Sequence, residues 1–208
     1  MKELYIFDFD GTIIDSYRDS IKFFNITLKQ YTLPTFDLDV EGLDYQIFRD
    51  FIHEHIRGIE EEFMHDFTIN YKDSPQVNTY LYDGVLEVLK ELENRGITLA
   101  ICSNRDQHNL EEMVKKFFNG ITFKYISGTV NEQHCKPDPY RINEIIRKEN
   151  IEKEKILYFG DKIADIEAAK AADIDMVLVT YGQGNKEAYS NSYPLKLIDN
   201  VKEILDFK

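Results

Sequence analysis

Residues 4–12 read Leu4-Tyr5-Ile6-Phe7-Asp8-Phe9-Asp10-Gly11-Thr12. Four apolar residues run directly into two aspartates, with one phenylalanine between them and a glycine behind. A short, almost continuous apolar run predicts a strand covered on both faces, the kind found in parallel sheets. Asp8 and Asp10 then fall at its C-terminal end, where open α/β sheets bind their ligands. If strand geometry persists, both point the same way, about 7 Å apart along the chain. Gly11 lets the backbone turn sharply and brings a main-chain N–H near any bound anion.

Outward from this stretch, short apolar runs alternate with amphipathic ones, the pattern of a parallel α/β sheet. Strands are expected at Leu4–Phe7, Ile97–Cys102, Thr122–Ile126, Ile156–Phe159 and Met176–Thr180. Helices are expected at Gly84–Asn94, Gln107–Phe118, Pro139–Glu149 and Ile163–Ala171, with a last one near Val201–Phe207. From Asp15 to about Tyr80 the rhythm breaks: no good strand, only helical stretches at Ser20–Tyr31, Leu43–Ile56 and Glu60–Tyr71. This segment holds 13 acidic and 6 basic residues, over half of the chain's excess charge in under a third of its length. It reads as a helical unit (15–80) inserted into a core made of 1–14 and 81–208.

A second strand end carries carboxylates: Gly160-Asp161, with Asp165 four residues on. If a helix starts at Asp161, the two aspartates share a face. A lone aspartate after a strand is most often a helix cap or an Asx-turn, and Asp161 by itself would be read so. Asp8, flanked by Phe7 and Phe9, resists that reading, because a carboxylate among buried aromatics is costly unless paired or metal-bound. Four like charges in one crevice imply a divalent cation, and an all-oxygen donor set points to Mg²⁺ rather than zinc. Ser103-Asn104 after the second strand add a hydroxyl and an amide, although Ser103 also suits an N-cap. Lys136, in Lys136-Pro137-Asp138-Pro139, reads on composition alone as a solvated loop lysine.

The 208 residues carry 38 acidic against 25 basic side chains, a formal charge of −13. That balance argues against a nucleic-acid polymer and against anionic membranes as partners. It leaves a small phosphorylated ligand open, since a local site can differ from the global field. A hydrophobic fraction of 43%, with 14 Phe and 13 Tyr, is ample for a packed core. Cys102 and Cys135 are too few for a disulfide scaffold. With no signal-peptide core and no long apolar span, a cytoplasmic protein is expected.

Asp8-Phe9-Asp10-Gly11-Thr12, Ser103-Asn104, Lys136-Pro137 and Gly160-Asp161 with Asp165 resemble, in order and spacing, the four motifs of the haloacid dehalogenase (HAD) superfamily. The insert resembles the small helical cap of its phosphoglycolate phosphatase-like branch, and Val179-Thr180-Tyr181-Gly182 also looks like that branch. The resemblance implies a Rossmann-like, three-layer parallel-sheet core and a cap that closes over small substrates. It implies a Mg²⁺-dependent phosphatase acting on a small phosphorylated metabolite, as monomer or homodimer. Asp8 would be the nucleophile and Asp10 the general acid and base. Mg²⁺ would be held by Asp8, Asp10 through its main-chain carbonyl, and Asp161, with Asp165 orienting Lys136 or waters. Gly11, Ser103, Asn104 and Lys136 would bind the phosphoryl group. A sugar phosphomutase of the β-phosphoglucomutase type or a non-catalytic binding module are the alternatives. Arg105 stands where that branch commonly has lysine, and reads as a phosphate contact or a helix cap. Arg18, Arg49 and Arg57 offer substrate anchors from the cap, or only a solvated face. His53, His55 and His65 lack metal-ligand spacing and read as solvated, and His134-Cys135 as loop filling.

Overall fold

The run Leu4–Phe7 forms strand β1, and all four of its side chains are buried. Each large apolar side chain so placed contributes ~1.5–3 kcal/mol over exposure, which anchors the strand ahead of its two aspartates. The computed structural model describes residues 1–36, 51–72, 74–130 and 133–208. After β1 come β2 (Ile14–Asp15), α1 (Tyr17–Gln30), α2 (Glu60–Lys72), β3 (Tyr80–Leu81) and α3 (Val85–Asn94). Next are β4 (Thr98–Asp106), α4 (Gln107–Phe117), β5 (Phe123–Thr129), α5 (Tyr140–Glu149) and β6 (Ile156–Gly160). The chain finishes with α6 (Ile163–Ala172), β7 (Asp175–Val179), α7 (Lys186–Tyr189) and β8 (Lys196–Ile198).

Six strands make one parallel sheet in the order β5-β4-β1-β6-β7-β8. The chain builds outward from β1 on one side, then returns to lay β6 against its other side. The β1/β6 boundary is therefore the switch point at which a crevice opens. Register sets Phe7 beside Phe159, so Asp8 and Asp161 leave the sheet side by side.

Strand alternation sorts the core into two layers. Tyr5, Phe7, Ile101 and Phe159 face α3 and α4, where Val88, Leu92, Leu110 and Met113 cover them. Ile6, Ala100, Tyr158 and Met176 face α5 and α6, covered by Ile142, Ile145, Ile166 and Ala169. Phe7 and Phe159 stack at 5.1 Å between centroids, joining the two strands that carry the aspartates. This is the three-layer Rossmann-like α/β arrangement.

The chain divides into two units, Met1–Ile14 with Leu81–Lys208, and Asp15–Tyr80. In the second, α1 and α2 pack through Phe24, Leu28 and Phe63, with Phe36 and Ile56 beside them. Asp19 is wholly buried and accepts from the Asn78 N–H, the Asn78 amide and the Thr79 hydroxyl. Most of the helical stretch expected at Leu43–Ile56, and Arg49 with it, lies outside the described residues. The expected strands and helices elsewhere appear with shifted ends. The strand expected to stop at Cys102 continues to Asp106 through a register break between Cys102 and Asp106. The last helix is a 3₁₀ stretch, Val201–Asp206. Strands β2, β3 and β8 and helix α7 have too few residues to show a periodicity.

Candidate active site

Beyond Phe7 the strand geometry does not persist, so Asp8 and Asp10 part company. The N–H groups of Ile13 and Ile14 both donate to Phe9 O, and Gly11 N–H donates to Ile14 O, closing a tight turn. Gly11 sits at φ +88°, and a Cβ there would collide with the Asp161 carboxylate. Glycine at this position thus serves both the turn and the approach of the second strand end.

Asp8 Oδ1 lies 2.6 Å from Lys136 Nζ, and the same ammonium lies 2.6 Å from Asp165 Oδ1 and 3.0 Å from the Tyr158 hydroxyl. Lys136 is buried, not solvated. Burial works against its charge, but Asp165 and Asp8 outweigh it and hold the ammonium above the ordinary lysine value. Burial, reinforced by the Asp165 charge, pushes the Asp8 carboxyl up to about 7 despite Lys136. Burial pushes Asp161 up to about 6; Lys162 pulls down while Asp165 adds to the rise. At Asp165 burial also pushes up, but Lys136 and hydrogen bonds from the Lys162 N–H and Tyr158 overcome it, so its carboxyl sits below the usual range.

Helix α6 starts at Ile163, so Asp161 and Asp165 do not meet as partners on one helix face. They meet because Asp165, in the first turn, reaches back to accept from the main-chain N–H groups of Asp161 (3.2 Å) and Lys162 (3.0 Å). This is cap geometry. Both Asp165 oxygens are thereby engaged, Oδ1 also by Tyr158 OH at 2.9 Å. Asp161 differs. Its Oδ2 accepts from Gln183 N–H at 2.6 Å, whereas its Oδ1 is buried without a hydrogen-bond partner among the described residues. Asp8, Asp161 and Asp165 can each bring an oxygen within 4.8 Å of the others. An orphaned buried carboxylate oxygen, all-oxygen donors and two raised carboxyl pKa values together suit a divalent cation.

The Ser103–Asn104 segment follows from the register break in β4, the kind of irregularity that re-aims side chains beside active sites. Ser103 does not cap α4; Asp106 does, accepting from Asn109 N–H. Ser103 Oγ instead accepts from Arg105 N–H, which leaves its own proton to donate. The Asn104 amide is largely committed to the Lys136 loop, donating to Lys136 O at 3.0 Å and accepting from Lys136 N–H at 2.7 Å. Arg105 neither lies free for phosphate nor caps a helix end. Its Nε and Nη2 grip Asp10 Oδ2 and Oδ1 at 3.0 and 2.5 Å.

Sequence reasoning passed over three organising residues. Tyr158 was one apolar strand residue among several; its signal was a hydroxyl on a strand buried on both faces, which needs a partner. Arg141 is buried on α5 and donates to Ser103 O, to Ser127 O at 3.2 Å and to Asn104 Oδ1 at 2.6 Å. Gln183 lies beyond β7, where Gly182 packs so closely on Gly11 O that no side chain fits. Among the other candidates, Arg18, Arg57, His53 and His65 are exposed, and His134 stacks on Tyr140 and pairs with Asp138 at 2.8 Å. None of the described histidines joins the acidic group.

With the crevice, its carboxylates and its buried lysine placed, the chain is identified as a member of the haloacid dehalogenase-like hydrolase family, whose model matches residues 5–179. Within that family it is similar to the phosphoglycolate phosphatase of Colwellia psychrerythraea strain 34H, 30% identical over 98% of this chain and 96% of that protein. It is 28% identical to phosphoglycolate phosphatase 1 of Pseudomonas aeruginosa, over 99% of this chain and 79% of that one. In fold it matches a haloacid dehalogenase-like hydrolase from Streptococcus pneumoniae with a TM-score of 0.83 and 20% identity, over 99% and 97% of the two chains. Among the described residues no helix is long and apolar enough to cross a membrane.

Proposed function

We propose that the chain is a Mg²⁺-dependent phosphatase that hydrolyses a small phosphomonoester through an aspartyl-phosphate, with phosphoglycolate as the leading substrate. The observation that carries this reading is the Asp8 carboxylate held by Lys136 beside the orphaned oxygen of Asp161. Asp8 Oδ1 is turned to Lys136. Its other oxygen has no partner among the described residues, which suits a nucleophile that must reach phosphorus.

Mg²⁺ would be held by Asp8, the Asp10 carbonyl and Asp161, and when bound it supplies charge compensation for the phosphoryl oxygens. Lys136 offsets the charge that builds on Asp8 and the phosphoryl group, while Ser103 donates to its oxygens; the Gly11 N–H, expected to join it, is instead given to Ile14 O in the turn. Asp8 attacks phosphorus as the ester P–O bond breaks, and Asp10 gives a proton to the departing alkoxide. A water then attacks the aspartyl-phosphate and surrenders a proton to Asp10. The balance is one ester and one water consumed, one alcohol and one inorganic phosphate released. Asp165 and Tyr158 keep the Lys136 ammonium in place throughout. The unit 15–80, inserted in the chain directly after Ile14, is read as the cap domain.

The test is hydrolysis of p-nitrophenyl phosphate and of phosphoglycolate by the purified chain with and without Mg²⁺, followed as inorganic phosphate. Asp8→Asn should remove the activity while the protein stays folded. Turnover near that of the unmutated chain in this variant would refute the mechanism.

A further inference from the structure

Asp10 and Arg105 come from different strand ends, yet they form a two-pronged ion pair with both carboxylate oxygens engaged, at 3.0 and 2.5 Å. The Arg105 side chain is 3% exposed and that of Asp10 is 22% exposed. The guanidinium is therefore the more deeply buried partner of the pair. Arg105 is itself held: Nη1 donates to Asn109 Oδ1 at 2.6 Å, one turn into α4, and the guanidinium lies over the Phe9 ring, 5.8 Å from its centroid. Asn109 in turn donates its N–H to Asp106, the cap of α4. A planar fork fixed at three points sets the plane of the carboxylate it grips, which a lysine's single ammonium cannot do.

We infer that Arg105 is a positioning residue that aims the Asp10 carboxyl at the ester oxygen and at the attacking water. This rests on the phosphatase reading above. Proton transfer is sensitive to heavy-atom placement, so a carboxyl free to rotate transfers its proton less often at the right geometry. An aryl phosphate, whose phenolate leaves without help, depends less on that aim during P–O cleavage than an alkyl phosphate does.

The experiment compares kcat/KM for p-nitrophenyl phosphate and for glycerol phosphate in the full chain with Mg²⁺. Arg105→Ala should lower the alkyl value at least tenfold more than the aryl value, and Arg105→Lys should recover part of the difference. In an Asp10→Asn background, Arg105→Ala should cost nothing further on the alkyl ester. Equal losses on the two esters, no loss on either, or a full additional loss on top of Asp10→Asn would each overturn the inference. If Arg105→Ala does not fold by thermal unfolding, Arg105→Gln carries the same comparison. Absence of hydrolysis by the unmutated chain would instead overturn the phosphatase reading, and this inference with it.

Discussion

The ammonium of Lys136 lies 2.6 Å from Asp165, a residue that also caps the helix on which it stands. One carboxylate therefore fixes both a helix start and a buried cation. Asp165→Asn should leave Lys136 with a neutral partner and weaken the helix start. Breaking a buried ion pair costs ~3–5 kcal/mol. The expected outcome is a clear loss of thermal stability together with a fall in kcat of about two orders of magnitude, read by calorimetry and steady-state kinetics.

Tyr158→Phe keeps the buried ring and removes only the hydroxyl that touches Lys136 and Asp165. A hydrogen bond to a charged group is worth ~1.5–3 kcal/mol. The variant should lose that much stability in denaturant titration, with a several-fold lower kcat and little change in KM.

Gly11→Ala puts a methyl group against the Asp161 carboxylate on a backbone at φ +88°. The left-handed conformation alone costs ~1–2 kcal/mol for alanine. Activity should drop by at least a hundredfold while the far-ultraviolet circular dichroism stays that of the unmutated protein, because the collision is confined to the crevice.

The raised carboxyls set a pH dependence of stability. Asp8, at about 7, and Asp161, at about 6, titrate above their unfolded value near 3.9. Between those values the folded chain binds more protons than the unfolded one. Without a divalent cation these two groups therefore favour folding below pH ~4, and the benefit is lost as pH rises through 6 to 7. On the proposed reading, Mg²⁺ should reverse the trend by favouring the ionised pair. At a hundred times its Kd a ligand adds ~2.7 kcal/mol, or roughly 5–10 °C in Tm for a chain of this size. Thermal scans from pH 5 to 8, with EDTA or Mg²⁺, should show the Mg²⁺ increment growing with pH; an increment that shrinks would contradict the assignment.

The sheet was legible because its strands are nearly unbroken apolar runs, and Leu4–Phe7 could hardly be anything else. Asp8 was readable as a site residue because a carboxylate directly after a buried strand demands a partner, whereas Lys136 read on composition as a solvated lysine and joined the site only through the resemblance to the haloacid dehalogenase motifs. What escaped was set by contacts distant in sequence. Arg105 looked like a phosphate contact or a cap until Asp10, 95 residues away, proved to hold it. Asp161 and Asp165 came together by capping rather than by helical phase, because the helix starts at Ile163, as expected, and leaves Asp161 outside it. The Asn104 amide faces the Lys136 loop because Arg141, on α5, draws the two segments together.

Every group assigned to the chemistry, from Asp8 and Asp10 to Gln183, belongs to the unit built from Met1–Ile14 and Leu81–Lys208. Over half of the chain's excess acidity lies elsewhere, in an excursion that leaves after Ile14 and rejoins at Leu81. If 15–80 is the cap proposed above, reaction and selectivity would be written in separable stretches of the gene. A lineage could then revise residues 15–80 and explore new substrates while inheriting the reaction unchanged.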